Sequence, residues 1–323
     1  MSATSPPSPL VSIIIPTHLS EPPFLAETLA SVIGQEWTNW EVIVVDDGSP
    51  DPDALSRLVS IHPRIGVVRS ARGGVARGRN LGFERARGEL VAFLDYDDIW
   101  YPNHLSTAIE NLANNQGAVC SYSAFDVVRG AAKEPVRTVR QQGPVTRHTV
   151  LSGGNRPSIT TMVIRHDAMA ATGGFNPAFD GADDLDLVYR LVDQGPYVRA
   201  DVVTVAWRSH DGNWSQDSLA MASGLRRVLD ANLGRLRAAG DVEAAADLAS
   251  LQHEQRGYLA RGAMADAVAA ARSREFGRAA GLAFWAIRSS PSGVASTVIR
   301  RFVRVLAWPL RLVSAKTKPK TPS

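Results

Sequence analysis

Residues 90–98 read LVAFLDYDD, an apolar run that ends in closely spaced carboxylates. The apolar part predicts a short buried strand that stops at Asp95. Asp95, Asp97 and Asp98 repel one another, which is costly beside a buried strand unless a cation or hydrogen-bond donors compensate. Carboxylate oxygens suit Mg²⁺ or Mn²⁺, so the stretch fits a metal site. It fits equally a solvated acidic turn that caps the next helix.

The residues before this stretch contain two more apolar runs, and the second of them also ends in carboxylates. Residues 11–15 (VSIII) and 40–45 (WEVIVV) predict two more buried strands, and residues 46–49 (DDGS) follow the second of them. Helical spacing of apolar residues separates the predicted strands, at residues 24–35, 52–61 and 73–88. This alternation predicts an α/β fold with a mainly parallel sheet flanked by helices. Ligands of such sheets bind beyond the carboxyl ends of the strands, where both acidic clusters lie.

Four polar segments each allow a structural and a functional interpretation. The DDGS residues fit a tight turn or a pocket for a nucleobase or ribose. Residues 72–80 (RGGVARGRN) fit a phosphate-binding loop or a glycine-rich turn before a basic helix. Asp183 and Asp184 fit an acidic helix start or a general base. His210 fits a structural histidine or a metal ligand that joins Asp97.

The overall composition is that of a folded globular protein with a strongly basic C-terminal segment. The chain has 323 residues, 45% hydrophobic and 21% charged, and its single cysteine excludes an internal disulfide. The net charge is +3, yet residues 276–323 hold nine basic residues and no acidic one, so the rest is net negative. This asymmetry suggests an anionic surface as partner. Nucleic acid is not expected, because the basic residues belong to no recognisable binding module.

In this order, the motifs resemble those of glycosyltransferase family 2, a large inverting family with the GT-A fold. The resemblance extends over roughly residues 10–217, about two thirds of the chain. The matching segments are VSIIIPT at 11–17, EVIVVDDGS at 41–49, ARGRNLG at 76–82, GELVAFLDYDD at 88–98, GGF at 173–175, the aspartate pair at 183–184 and the segment around His210.

The resemblance implies how a nucleotide-sugar donor is bound. Pro16, Thr17 and Asp47 correspond to the pocket for the base of the nucleotide, with Arg79 nearby. Asp95 corresponds to the residue directed toward the ribose.

The resemblance also implies the metal and catalytic residues. Asp97 corresponds to the ligand of a divalent metal, Mn²⁺ or Mg²⁺, and Asp98 acts through water or by orienting its neighbours. His210 matches a histidine that in some members joins the metal or diphosphate site. Asp184 matches the catalytic base. The family often has Glu-Asp where this chain has Asp183 and Asp184, so the base could lie one residue earlier.

The expected function is therefore an inverting, metal-dependent transfer of a sugar from a nucleotide-diphosphate sugar, UDP- or dTDP-linked, to a hydroxyl. The expected acceptor is a glycan or a lipid-linked acceptor in the synthesis of cell-surface polysaccharide or glycoconjugate. The alternative is a catalytically inactive nucleotide-sugar-binding or scaffold protein on the same fold. A nucleotidyltransferase is disfavoured, because residues 16–18 (PTH) stand where such enzymes usually carry a glycine-rich basic loop.

Four regions are predicted along the chain. Residues 1–9 are rich in serine and proline and are predicted to be disordered, and residues 10–217 form the predicted GT-A domain. Residues 218–290 are rich in alanine, leucine and arginine and predict a helical extension with weak breaks near Gly240 and Gly257. Residues 291–323 predict a basic amphipathic helix and tail.

The predicted C-terminal helix has the features of a helix at a membrane surface. In residues 297–308, Arg300, Arg301 and Arg304 share one side, apolar residues the other, and Trp308 lies near the edge. Such a helix fits an anionic membrane, and it fits equally a helix packed on the catalytic domain. With no signal peptide or transmembrane run in the sequence, the expected location is cytoplasmic, peripheral at the inner face of the plasma membrane.

Overall fold

The computed structural model describes residues 8–132, 134–210 and 218–290. The predictions for the first seven residues, for the segment just after His210 and for the basic helix and tail lie outside the described residues. The chain divides into two compact units, Met1–Leu248 and Ala249–Ser323. The predicted domain boundaries stay predictions.

Four parallel strands form the first half of the sheet, in the order β3-β2-β1-β4. They are β1 (Val11–Thr17), β2 (Trp40–Asp47), β3 (Ile65–Ser70) and β4 (Leu90–Phe93). The connecting helices are α1 (Leu25–Ile33), α2 (Pro52–Val59) and α3 (Val75–Arg85). Strands β1, β2 and β4 are buried along their whole length, which is why they read as continuous apolar runs.

The second half of the sheet mixes strand directions. Its strands are β5 (Ile99–Trp100), β6 (Cys120–Arg129), β7 (Arg137–Val139), β8 (Met162–Arg165) and β9 (Tyr197–Ser209). The order continues β4-β8-β6-β9-β5, with β7 beside β6. Strand β8 runs antiparallel to both β4 and β6, whereas β9 is parallel to β6. The predicted α/β class is confirmed, and the continuous run of parallel strands that starts at β3 ends at β4.

Seven further α-helices lie in the described part of the chain. They are α4 (His104–Asn114), α5 (Arg147–Leu151), α6 (His166–Ala171), α7 (Asp183–Leu191), α8 (Ser218–Ala238), α9 (Val242–Arg272) and α10 (Phe276–Ser289). The predicted break at Gly240 is confirmed, with φ of 73° after α8. The predicted break near Gly257 is wrong, because α9 continues through it. The chain turns instead at Arg274, which adopts φ of 63°.

Helix α3 lies unusually close to the sheet, because glycines face it. A Cβ at Gly82 would lie 2.3 Å from Ile14 Cγ2 and 3.0 Å from Val45 Cγ2. A Cβ at Gly78 would lie 3.4 Å from Pro16 Cβ. These glycines let α3 pack directly on β1 and β2, which brings the helix to the carboxyl edge of the sheet.

We expect Gly82→Ala to destabilise the protein by about 1–3 kcal/mol, because the added methyl group has no room against Ile14 and Val45. Gly234→Ala in α8 is the matched control, since a Cβ there meets nothing within 4 Å. Alanine should favour the helix at that position by up to ~1 kcal/mol. Urea unfolding followed by circular dichroism measures both changes. An equal effect of the two substitutions would contradict the close packing of α3.

Candidate active site

The carboxyl ends of β1 and β2 form one side of the site. Thr17 pairs with Asp46 in the strand register, and Pro16 and Thr17 are both buried. Asp46 Oδ1 accepts a hydrogen bond from Ser49 N at 2.7 Å, and Asp46 Oδ2 is paired with Arg69 Nη1 at 2.7 Å. The first aspartate of the DDGS segment therefore closes the turn.

Asp47 binds the loop that leads into α3. Its two carboxylate oxygens accept hydrogen bonds from Gly73 N at 2.8 Å and Gly74 N at 2.9 Å. Ala76 N, in the first turn of α3, donates to Asp180 Oδ1 at 3.1 Å. The interpretation of this loop as a phosphate cradle is therefore corrected: two carboxylates occupy these amides. The predicted contact of Asp47 with the base of a nucleotide stays a prediction.

Arg79 joins the acidic cluster after β4 to the start of α7. Its Nη1 is 2.8 Å from Asp183 Oδ2, and its Nη2 is 2.8 Å from Asp95 Oδ1. The Phe175 ring lies beneath the guanidinium, 5.3 Å away. Burial disfavours the charge of Arg79, but the attraction of Asp183 and Asp95 outweighs it and raises the pKa of the guanidinium. Arg79 is thus a permanent buried cation.

The two aspartates at the start of α7 differ in their surroundings. Asp183 is 1% exposed and paired with Arg79, and burial raises its pKa to about 6 against the opposing effect of Arg79. Asp184 is half-buried, its Oδ1 accepts from Leu185 N at 2.8 Å, and no ion pair joins it to any described residue. Burial raises the pKa of Asp184, and Arg79 again opposes the effect. This contrast favours Asp184 over Asp183 as a base.

Asp97 and His210 meet beside α1. Asp97 Oδ2 lies 2.8 Å from His210 Nε2, and the side chains are 12% and 16% exposed. Burial raises the pKa of Asp97; the charge of Asp95 adds to this and His210 opposes it. Among the described residues, no cluster of three or more His, Cys, Asp or Glu side chains forms a metal cage. A carboxylate and an imidazole fit a divalent cation that completes its shell with substrate phosphates and water.

Arg208 fixes the backbone around these ligands. It is 1% exposed, its backbone N donates to Asp98 Oδ1 at 2.9 Å, and its Nε donates to the carbonyl of Asp97 at 2.8 Å. Its Nη2 is paired with Glu27 Oε2 at 2.6 Å. Burial and the neighbouring carboxylates raise the pKa of Asp98 well above its ordinary value. Asp98 therefore fits the predicted orienting role rather than a direct ligand contact.

Asp95 links the predicted base to the predicted metal ligands. It is bonded to Arg79, and its charge raises the pKa of both Asp97 and Asp184. The predicted base and the predicted metal ligands therefore lie around one site. Asp47 belongs to the end of β2, which β1 separates from β4, and it bonds to the loop before α3.

Two residues that shape the site, Asn80 and Thr28, were not predicted from the sequence. Asn80 exchanges two hydrogen bonds of 2.8 Å with the backbone of Phe175, which ties the ARGRN and GGF segments together. Thr28 Oγ1 donates to the carbonyl oxygens of Tyr96 and Asp98 at 2.8 Å each. For Thr28 the available signal was a polar residue among the apolar positions of α1, since a buried polar residue needs a partner.

Comparison with known proteins agrees with this geometry. Residues 12–162 match the sequence profile described as Glycosyl transferase family 2. The chain carries a glycosyltransferase family 2 domain. The match includes Asp47, Arg79 and the aspartates after β4, whereas Asp184 and His210 lie beyond it. The chain spans between 14% and 45% of the length of the first four curated relatives that it matches.

One curated relative and two solved structures illustrate the similarity. The Escherichia coli UDP-Glc:alpha-D-GlcNAc-diphosphoundecaprenol beta-1,3-glucosyltransferase WfgD is 37% identical over 107 residues, 33% of this chain and 42% of its own. S. aureus TarS 1–349 with UDP-GlcNAc has a TM-score of 0.60 at 15% identity, covering 84% of this chain and 90% of its own. Mannosyltransferase PcManGT from Pyrobaculum calidifontis, with GDP-Man and Mn²⁺, has a TM-score of 0.57 at 20% identity. The match covers 95% of this chain and 83% of the PcManGT chain. These structures support the GT-A fold.

We expect Arg208→Met to lower the free energy of unfolding by about 2–4 kcal/mol, because it leaves buried acceptors without their donor. Glu27→Gln is the control: Glu27 is 52% exposed and the amide can still accept a hydrogen bond, so its cost should stay below about 1 kcal/mol. Urea unfolding measures both. If Arg208→Met unfolds at the wild-type midpoint, Arg208 does not hold the loop.

Proposed function

We propose that this protein is an inverting, metal-dependent glycosyltransferase that uses a UDP- or dTDP-sugar and a hydroxyl of a glycan or lipid-linked acceptor. The observation that carries the proposal is the half-buried Asp184 beside the Arg79 ion pairs, within the electrostatic reach of Asp95. The name of WfgD, with a UDP-sugar and a lipid diphosphate, and the UDP-GlcNAc bound to TarS support the donor and acceptor classes. A role in cell-surface polysaccharide or glycoconjugate synthesis follows from them.

The proposed reaction is a single displacement. The acceptor hydroxyl gives its proton to the Asp184 carboxylate while its oxygen attacks the anomeric carbon. The bond from that carbon to the nucleoside diphosphate breaks on the opposite face, which inverts the anomeric configuration. One carboxylate in contact with the nucleophile is sufficient, by the logic of inverting glycosidases with a sugar hydroxyl in place of water. Asp183 is unsuited to this step, because Arg79 engages it.

Asp97 and His210 are the residues that would hold a divalent cation, Mn²⁺ or Mg²⁺. Such a cation supplies Lewis-acid stabilisation of the departing diphosphate. Arg208 and Asp98 would keep the two ligands in position, because they fix the backbone on either side of them. The Mn²⁺ in the PcManGT complex supports this choice of metal.

The proposed location is cytoplasmic and peripheral at the inner face of the plasma membrane, through the basic residues of the last 27 positions, 297–323. Within the part of the chain that the structure describes, no helix combines the length and apolar character that crossing a membrane requires.

We expect Mn²⁺-dependent thermal stabilisation of the wild-type protein by UDP or dTDP, and not by GDP. Asp97→Asn should abolish that stabilisation, because it removes the carboxylate charge at the predicted metal site. Asp184→Asn should keep it and lower transfer by on the order of 10²–10⁴-fold, because it removes the base. Thermal shift measures binding, and release of nucleoside diphosphate with an acceptor measures transfer.

The outcomes separate the candidate functions. Near-normal transfer by Asp184→Asn would refute the base assignment. Binding of a nucleotide without turnover by the wild-type protein would favour the catalytically inactive binding or scaffold protein. No stabilisation by any of the three nucleotides, from well-folded protein, would refute the proposed donor class.

We expect deletion of residues 297–323 to release the protein from vesicles that contain phosphatidylglycerol, because the deletion removes most of the basic tail. Co-sedimentation measures this, with neutral phosphatidylcholine vesicles as the control and circular dichroism to verify folding. Equal binding of the full-length and shortened chains to the anionic vesicles would contradict membrane attachment through the tail.

A further inference from the structure

Helix α1 begins with an aromatic residue in a position that usually holds a small polar one. Phe24 is the residue just before the first turn, and its carbonyl accepts the first hydrogen bond of the helix, from Thr28 N at 3.0 Å. Serine, threonine, asparagine or aspartate is preferred there, because such a side chain binds a backbone N–H of the first turn. Phe24 provides no such bond, although its ring is only half-buried.

The Phe24 ring contacts two residues from the end of β9. The Cζ atom of Arg208 lies 4.2 Å from the centre of the ring. The imidazole of His210 lies 5.3 Å from it, centre to centre, and is tilted by 49°. Tilted aromatic rings at this spacing attract one another, and so do a guanidinium and the face of a ring. The side chain that replaces the usual cap of α1 therefore holds Arg208 and His210.

Glu27 is directed to the same place. In a capping box, the residue before the helix and a glutamate three residues later both bind the backbone of the first turn. Glu27 occupies the second of these positions, but its Oε2 is 2.6 Å from Arg208 Nη2. Both positions of a potential capping box thus serve contacts with the end of β9.

These contacts lead to both predicted metal ligands. Arg208 Nε donates to the carbonyl of Asp97 at 2.8 Å, and His210 Nε2 lies 2.8 Å from Asp97 Oδ2. Phe24 is therefore in contact with one of the ligands and with the arginine that fixes the backbone of the other. Residues that hold a metal ligand in its orientation strengthen metal binding without contacting the metal.

We propose that Phe24 is a positioning residue of the metal site, whose ring holds the His210 imidazole in the orientation in which it binds a divalent cation together with Asp97. This inference rests on the proposed function, because it takes Asp97 and His210 as the metal ligands. It also explains why the start of α1 lacks the usual cap: the position is used for the site at the expense of the helix.

The test compares Phe24→Leu with Phe83→Leu. Phe83 is a matched control, because it is also half-buried and its ring also contacts a histidine, His166, at 4.8 Å and a tilt of 37°. Electron paramagnetic resonance of free Mn²⁺, at saturating UDP, measures the Kd of Mn²⁺. We expect Phe24→Leu to raise this Kd roughly two- to tenfold, which corresponds to the energy of one aromatic pair. Phe83→Leu should leave it unchanged.

Three further measurements separate positioning from folding. Phe24→Tyr keeps the ring and should keep the wild-type Kd of Mn²⁺. Phe24→Leu and Phe83→Leu should lower the urea midpoint by similar amounts, because each removes one half-buried ring. The Kd of UDP without metal, measured by calorimetry, should be the same in all variants, because the ring acts on the metal ligand and not on the nucleotide.

Three results would overturn the inference. An unchanged Kd of Mn²⁺ in Phe24→Leu would mean that the ring does not orient His210. An equal rise in Phe83→Leu would make the effect a general loosening of the protein. A weaker metal-free Kd of UDP in Phe24→Leu would place Phe24 at the nucleotide.

Asp97→Asn separates failure of this inference from failure of the proposed function. If Asp97→Asn abolishes Mn²⁺ binding and Phe24→Leu does not weaken it, the metal site stands and the role of Phe24 falls. If Mn²⁺ does not bind the wild-type protein, or binds Asp97→Asn equally well, the proposed metal site falls and the role of Phe24 falls with it.

Discussion

The site depends on one buried cation between two carboxylates. Arg79 pairs at 2.8 Å with Asp95 after β4 and at 2.8 Å with Asp183 on α7, two segments far apart in the chain. Loss of one member of such a pair leaves an uncompensated buried charge, which is strongly destabilising. The ion pairs therefore fix the distance between the acidic loop and the start of α7, and with it the positions of the predicted base and metal ligands.

Arg79 can reach both partners only because α3 lies close to the sheet. Gly82 faces β1 and β2, where a Cβ would collide with Ile14 and Val45, and a Cβ at Gly78 would already touch Pro16. The beginning of the same helix is held by Asp47 and Asp180, which accept hydrogen bonds from its loop and first turn. The glycines and acidic residues of this region thus serve the placement of a single arginine.

The elements that could be predicted from the sequence are those in which the order of apolar and polar residues reflects how the element is buried. Strands β1, β2 and β4 are buried on both faces, so continuous apolar runs mark them. The two-residue β5 and three-residue β7 are too short to show a period. The turn at Arg274 has no glycine to mark it, because arginine there adopts the left-handed conformation that glycine usually supplies. Arg208 was missed because the partners of a buried charge come from distant segments.

Helix geometry explains why the two adjacent aspartates at the start of α7 differ. Successive residues of a helix point about 100° apart, so Asp183 and Asp184 cannot face the same group. Asp183 faces Arg79 and is neutralised by it, whereas Asp184 stays half-buried and accepts a hydrogen bond from the amide of Leu185 in its own helix. Burial disfavours the charged form of Asp184, and Arg79 counters this at a distance. One guanidinium therefore positions the first aspartate and keeps the second ionisable, as the predicted role of Asp184 as a general base requires.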